Sequence, residues 1–198
     1  MLSWYHRALA SLGALVYGFP SEKLIVIGVT GTNGKSTTAY FIAKILDHAG
    51  YQTGLTSTAV FKIAGREWLN DKKMTMLGRF QSQRMLRDMV RAGCQYAVIE
   101  TSSEGIAQHR HRGINYDVAV FTNLTPEHLE THGGFEPYKQ AKGELFAWLT
   151  MKKRKAFLRH SGVRQRRTIE SSTPKIIVVN ADDEHAEYFL SFRADHKV

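Results

Sequence analysis

The run Gly28-Val29-Thr30-Gly31-Thr32-Asn33-Gly34-Lys35-Ser36-Thr37 gathers the residue types that cradle a phosphate chain. Glycines at 31 and 34 let backbone N–H groups approach an anion at angles that a side chain forbids. Lys35 supplies a point charge for the β- and γ-phosphates of a nucleoside triphosphate, and the Ser36 hydroxyl can ligate magnesium. Thr32, Asn33 and Thr37 complete the loop. The usual phosphate-loop pattern has a further glycine where this sequence has Val29, so the loop reads as a TGTNGKS variant of that pattern. The chemistry it implies is binding of ATP with Mg2+.

Such a loop works only between a buried strand and the first turn of a helix, where unpaired N–H groups and the helix dipole point at the anion. Both neighbours are present. Leu24-Ile25-Val26-Ile27 is a continuous apolar run of the kind buried in parallel sheets, and residues 37–48 carry apolar side chains at helical spacing. Further along, Tyr96-Ala97-Val98-Ile99-Glu100 is an apolar strand ending in a carboxylate, a position from which an acid reaches a metal at a phosphate loop. Val118 to Asn123 is a second such strand, and the following loop holds Glu127, His128, Glu130 and His132. The coarse order is strand 24–29, helix 35–49, strand 53–57, a variable stretch to about 73, helix 80–92, strand 96–100, strand 117–122, helix 136–149, a basic segment, and strand 175–180. Alternating strands and helices predict an α/β fold, a doubly wound, mostly parallel sheet of the P-loop type with ligands at the strands' carboxyl ends.

At 198 residues and 43% hydrophobic content, one domain with a substantial core is expected. A single cysteine, Cys94, excludes a disulfide framework or a multi-cysteine metal site and fits a reducing cytoplasm. Residues 1–22 read as a lead-in whose apolar part, Ala8 to Phe19, forms an amphipathic helix ended by Pro20 and Ser21. It is shorter than the roughly 20 residues that span a bilayer. Residues 23–198 read as the ATP-binding domain, with a basic insertion at 151–173. The net charge of +9 is local to that insertion. Lys152, Lys153, Arg154, Lys155, Arg159, Arg164, Arg166 and Arg167 follow one another without an acidic residue, and the other 19 basic residues nearly balance 18 acidic ones. A solvated loop is the preferred reading of such a block, ahead of a nucleic-acid or anionic-surface contact.

Five ordered blocks then carry a resemblance. GVTGTNGKST at 28–37, ETSSEGIAQHR at 100–110, VFTNLTPEHLETHG at 120–133, YKQAKGELF at 138–146 and VVNADDEHAEYF at 178–189 together resemble the central ATPase domain of the Mur ligase family. The likeness is strongest to the ligases that add the third amino acid of the peptidoglycan stem. It implies that Gly31, Thr32, Asn33, Gly34, Lys35, Ser36, Thr37 and Asn123 bind ATP, and that Ser36, Glu100 and His128 bind Mg2+. Lys142 falls where the family has a lysine carbamylated by carbon dioxide, which becomes an anionic oxygen ligand for the metal. Lys35, Glu100, His128 and Lys142 are thus the implied catalytic set. Thr75, Ser102, Ser103, Gln108 and Arg110 fall in segments that contact the UDP-N-acetylmuramoyl-peptide in the family. Two positions depart: Glu104 stands where histidine is common, and Glu127 where aspartate is usual.

The reaction implied is amide formation between the UDP-N-acetylmuramoyl-peptide and an incoming amino acid, through an acyl phosphate made at the expense of ATP. The family plan has a uridine-nucleotide domain before this one and an amino-acid-binding domain after it, so the resemblance implies that such domains lie outside these residues or in another chain. Two other readings stay open. A folylpolyglutamate-synthetase-like ligase would share the ATP chemistry, although the paired serines with Gln108-His109-Arg110 argue against a folate substrate. A non-catalytic nucleotide-binding remnant would keep the loop alone.

Overall fold

A computed structural model describes residues 3–72, 74–127, 129–158 and 169–198. The chain enters through α1 (Ser3–Val16), then β1 (Ile25–Thr30), α2 (Lys35–His48), β2 (Thr53–Thr56) and a hairpin of β3 (Val60–Ile63) and β4 (Arg66–Leu69). It continues through α3 (Arg79–Arg91), β5 (Tyr96–Glu100), α4 (Ser103–Ala107), β6 (Val118–Phe121), α5 (Leu129–His132) and α6 (Phe135–Met151). A second hairpin of β7 (Ala156–Leu158) and β8 (Ile169–Ser172) leads to β9 (Ile176–Val179), α7 (Ala186–Leu190) and β10 (His196–Lys197).

Eight of these strands form one sheet in the order β10-β9-β6-β1-β5-β2-β3-β4. Pairing is parallel from β10 through β2, and β3 and β4 close the far edge antiparallel. The expected α/β sheet is therefore present. The stretch read as variable between 57 and 73 holds the β3–β4 hairpin, turned by Ala64 with φ of 50° and by Gly65.

The buried strands alternate between two apolar layers, as a pleated sheet covered on both faces must. Val26, Ala97, Ile99, Ala119, Phe121 and Ile177 face a core completed by Leu86 and Met89 of α3, Leu145 and Phe146 of α6 and Phe189 of α7. Ile27, Val29, Val98 and Val120 face the opposite way, against Ala39 and Ala43 of α2. Cys94 lies buried just before β5, in the small-residue role expected of it.

Two expectations need correction. The first helix begins earlier than Ala8 and ends at Val16, before Pro20, because Gly18 and Phe19 turn the backbone left-handed with φ of 72° and 50°. Pro20 instead opens a 3-10 turn, a position where its missing N–H costs nothing. The basic segment is also not wholly a solvated loop. Lys155 is buried and donates to Asp117 Oδ2 at 2.5 Å and to the Leu24 carbonyl at 2.8 Å. Arg154 pairs with Asp195, and Lys152 stands 4.3 Å from the centre of the Trp148 ring. Arg159, Arg164, Arg166 and Arg167 lie outside the described residues.

Asp117 is the hub of this lower end of the sheet. Its Oδ2 also accepts the Val26 N–H at 2.8 Å, and Lys175 approaches its Oδ1 at 3.4 Å. Lys175 donates further to Asn115 Oδ1 at 2.7 Å and to the Tyr116 carbonyl. One carboxylate thereby ties together the starts of β1, β6, β7 and β9.

Candidate functional site

The sheet register brings the candidate residues to one edge. Val29 of β1 pairs with Glu100 of β5, and Thr30 pairs with Phe121 of β6, so the loops after these three strands open side by side. That is the carboxyl-end crevice at which open α/β sheets take their ligands. α2 starts here with Gly34 at φ of 76° as its N-cap, and its first N–H groups have no partners within the helix.

The 31–34 loop is held in shape from the β6 side. The Thr32 N–H donates to the Asn123 carbonyl at 2.8 Å, the Asn33 N–H to Asn123 Oδ1 at 2.8 Å, and Thr122 Oγ1 to the Asn33 carbonyl at 2.8 Å. Asn33 Nδ2 reaches Glu127 Oε1 at 3.2 Å. Gly31 has φ of 153°, and a Cβ there would stand 1.9 Å from Thr122 Oγ1. That Cβ would also stand 3.1 Å from the Asn123 backbone, so a side chain there would push on the segment that follows β6.

On the β5 side, Ser36 Oγ donates to Glu100 Oε2 at 2.8 Å. Glu100 is buried, and Thr58 fixes both of its oxygens, through its N–H at 2.7 Å to Oε2 and its hydroxyl at 3.0 Å to Oε1. These are the oxygen donors that a hard cation takes alongside phosphate oxygens. Among the described residues no cluster of three or more His, Cys, Asp or Glu side chains is placed to hold a metal by itself. His128 lies outside the described residues.

Lys142 comes up from α6 beneath the same loop. It is buried, donates to the Gly31 carbonyl at 2.7 Å, and lies 4.2 Å from the centre of the Tyr138 ring. Burial, reinforced by the positive charge of Lys35, pushes its amine down to about 7, while Glu104 and Glu127 pull the other way. Lys35 itself turns back onto the Thr32 carbonyl at 2.5 Å. A cavity of about 150 Å³ is lined by Gly31, Thr32, Lys35, Thr75, Ser102, Ser103, Glu104, Tyr138 and Lys142.

The depressed Lys142 has a measurable consequence. Its folded value lies below the unfolded one, so charging it costs stability fully below pH 7, and that cost fades as pH rises from 7 toward 10.5. Lys142→Met is therefore expected to raise the melting temperature at pH 6 and to lose that advantage by pH 10. Melting curves at the two pH values check this, and a pH-independent change would refute it.

The structure unites most of the expected site residues but not all. Thr75, Ser102 and Ser103 share the cavity wall with Lys35 and Lys142. Asn123 holds the loop, whereas Thr37 is exposed in the first turn of α2. Gln108 and Arg110 do not line the cavity. Arg110 donates to Gln108 Oε1 through Nε at 3.0 Å and to the Met76 carbonyl through Nη1 at 2.5 Å, so its guanidinium is already engaged. Sequence reasoning missed Thr58 and Tyr138, and it named His132 among the polar residues of its loop without its partner. Tyr138 shares a 3.1 Å hydrogen bond with Thr32 Oγ1, and His132 Nε2 lies 3.1 Å from Ser103 Oγ. Tyr138 could have been found, since it precedes Lys142 by four residues on one helix face.

Fold and site together define a P-loop α/β domain with a carboxylate and a buried lysine set against the loop. The Mur ligase middle domain matches residues 29–198, and the chain belongs to the Mur ligase family. It is 42% identical over 185 residues to the UDP-N-acetylmuramyl-tripeptide synthetase of Roseiflexus sp. (strain RS-1), covering 92% of this chain and 34% of that protein. It is 38% identical over 190 residues to the UDP-N-acetylmuramoyl-L-alanyl-D-glutamate--2,6-diaminopimelate ligase of Geobacillus thermodenitrificans (strain NG80-2), covering 95% of this chain and 35% of that one. The chain thus spans about a third of the length of these relatives. A solved diaminopimelate ligase of the same name superposes with a TM-score of 0.66 at 30% identity, over 85% of this chain and 29% of that one. FolC of E. coli, solved with DHPP and ADP, shares the fold with a TM-score of 0.63 at 19% identity, over 96% of this chain and 45% of that one.

Proposed function

We propose that this domain binds ATP with Mg2+ and serves the ATP-dependent joining of an amino acid to a UDP-N-acetylmuramoyl-peptide in the cytoplasm, through an acyl phosphate. The observation that carries the reading is the convergence of Lys35, Ser36, Glu100 and Lys142 on one crevice beside the Gly31–Gly34 loop. In this reading Lys35 leaves the Thr32 carbonyl and neutralises charge on the transferring phosphoryl oxygens. Ser36 and Glu100 would hold a magnesium ion, which would supply positive charge to offset that of the phosphates. Asn123 and Thr122 keep the loop fixed, so the donors are oriented before substrate arrives.

Lys142 with a value near 7 is substantially neutral at physiological pH. Its nitrogen lone pair can attack carbon dioxide, forming an N–C bond and releasing a proton, and the resulting carbamate offers anionic oxygen to the metal. The substrate carboxylate then attacks the γ-phosphorus as the bond to ADP breaks. An amino group next attacks the acyl carbon, and phosphate leaves with the amide formed. Thr75, Ser102 and Ser103 line the side of the cavity assigned to the muramoyl-peptide. Gln108 and Arg110 act at one remove, by fixing the backbone at Met76 next to Thr75.

The test is the Mg2+ dependence of ATP-analogue binding by calorimetry. Binding by the unaltered chain is expected to tighten with Mg2+, and Glu100→Ala is expected to abolish that gain while leaving most metal-free affinity. An Mg2+ effect that survives in Glu100→Ala would remove the assigned metal ligand.

A further inference from the structure

We infer that the outer face of α1, with the cleft between α1 and α3, docks onto an anionic membrane leaflet. The helix turns its small residues inward and its large apolar ones outward. Its small residues face inward: Ala10 and Ala14 are buried, and Gly13 lies against the Arg79 carbonyl of α3. Its large apolar residues face out, with Trp4 72%, Leu15 61%, Val16 57% and Leu12 47% exposed. At 100° per residue these four fall within one side of the helix, opposite the small residues, and Phe19 extends the patch beyond its end. An apolar stripe of this kind marks a surface meant for another apolar medium.

Charge decides between the occupants. The cleft of about 370 Å³ at the end of the stripe is lined by Leu15, Val16, Tyr17, Gly18, Pro20 and Val90 together with Lys23, Arg87 and Arg91, and no carboxylate lines it. Of the acids on neighbouring segments, Asp88 partly offsets Arg91, standing 3.9 Å from it and 4.0 Å from Arg84, and Glu22 is engaged by hydrogen bonds from Asn115. α1 contributes Arg7 and no acidic residue. A second copy docked through the same face would set these cations against their own images. An anionic lipid surface answers both features, its headgroups in the cationic cleft and its acyl boundary against Trp4, Leu12 and Leu15.

The geometry is that of a helix lying on the surface. Fourteen residues span about 21 Å, short of the roughly 30 Å hydrocarbon core. Among the described residues no helix is long and apolar enough to cross a membrane. The cleft shares no lining residue with the cavity at the phosphate loop, so this inference stands or falls apart from the ligase reading.

Flotation of the full chain with vesicles tests it. The chain is expected to float with phosphatidylcholine vesicles containing phosphatidylglycerol, to float poorly with phosphatidylcholine alone, and to be released by high salt. Arg87→Glu combined with Arg91→Glu, and separately Leu15→Glu, are each expected to lower the partition coefficient on the order of tenfold or more. The substituted side chains are at least partly exposed, and an unchanged melting temperature shows that the variants fold; Leu12→Ser gives a milder second probe of the stripe. Failure to float, equal binding to both vesicle types, or a dimer in solution that Leu15→Glu disperses without any effect on flotation would overturn the inference.

Discussion

Lys35→Ala is expected to weaken ATP-analogue binding roughly 10- to 100-fold, the range that one lost hydrogen bond to a charged group costs. The side chain sits at the first position of α2 and, among the described residues, donates to the Thr32 carbonyl three residues earlier. That bond is local and half-exposed, so its removal leaves the domain standing. The melting temperature without nucleotide should change little, which separates lost binding from lost folding. The loop conformation is set by Asn123, Thr122 and the tight approach at Gly31 rather than by Lys35, so residual binding through backbone N–H groups should survive. Calorimetric titration of wild type and variant measures the difference, and equal affinities would exclude Lys35 as a phosphate ligand.

A comparably large effect is expected at the opposite end of the sheet, on stability. Asp117→Asn keeps the shape of the side chain but leaves Lys155 and Lys175 buried without a negative partner. Breaking one partner out of a buried ionic group costs about 3–5 kcal/mol, because the remaining charge stays desolvated. For a chain of this size that is a fall in melting temperature of roughly 6–20 °C. Lys155 is already lowered to about 8 by burial, against the pull of Asp117. Without Asp117 the burial and the neighbouring Lys175 charge act against the weaker pull of Glu22, so the amine sheds its proton below 8 and the variant should have recovered part of its loss by pH 9.5. The sign follows from the unfolded chain binding that proton more tightly than the folded one. Thermal melts of Asp117→Asn at pH 7 and pH 9.5 check both statements, and a loss below about 1 kcal/mol would mean that the buried pair is not structural.

The features that were legible before the structure are those whose physics is local. Gly31, Gly34, Lys35 and Ser36 act through backbone and side chains within one turn of chain, and the apolar strand ahead of them announces the element that holds them. Glu100 was readable as a carboxylate at a strand end, because strand ends gather in parallel sheets. Thr58 was not, since only the register of β2 beside β5 places the residues after Thr56 next to Glu100. His132 meets Ser103 across 29 residues of chain, and no spacing rule reaches that far. Arg110, which the resemblance puts in a substrate-contacting segment, donates to the Met76 carbonyl and to Gln108, a pairing that only the fold reveals. Lys155 was misjudged for a different reason. A run of like charges is ordinarily solvated, but this one crosses the bottom of the sheet directly over Asp117, and a single buried carboxylate draws one member inside. The first helix shows the same limit: its amphipathic pattern was visible, while the choice of small residues for the inner face depends on how closely α3 approaches.

The most direct measurement is a structure of this chain with a non-hydrolysable ATP analogue and Mg2+. The account predicts the triphosphate over residues 31–36, Lys35 Nζ moved from the Thr32 carbonyl onto the γ-phosphate, the metal bound by Ser36 and Glu100, and Lys142 freed from the Gly31 carbonyl to face it. An analogue bound away from this loop, or a metal with neither Ser36 nor Glu100 among its ligands, would contradict it.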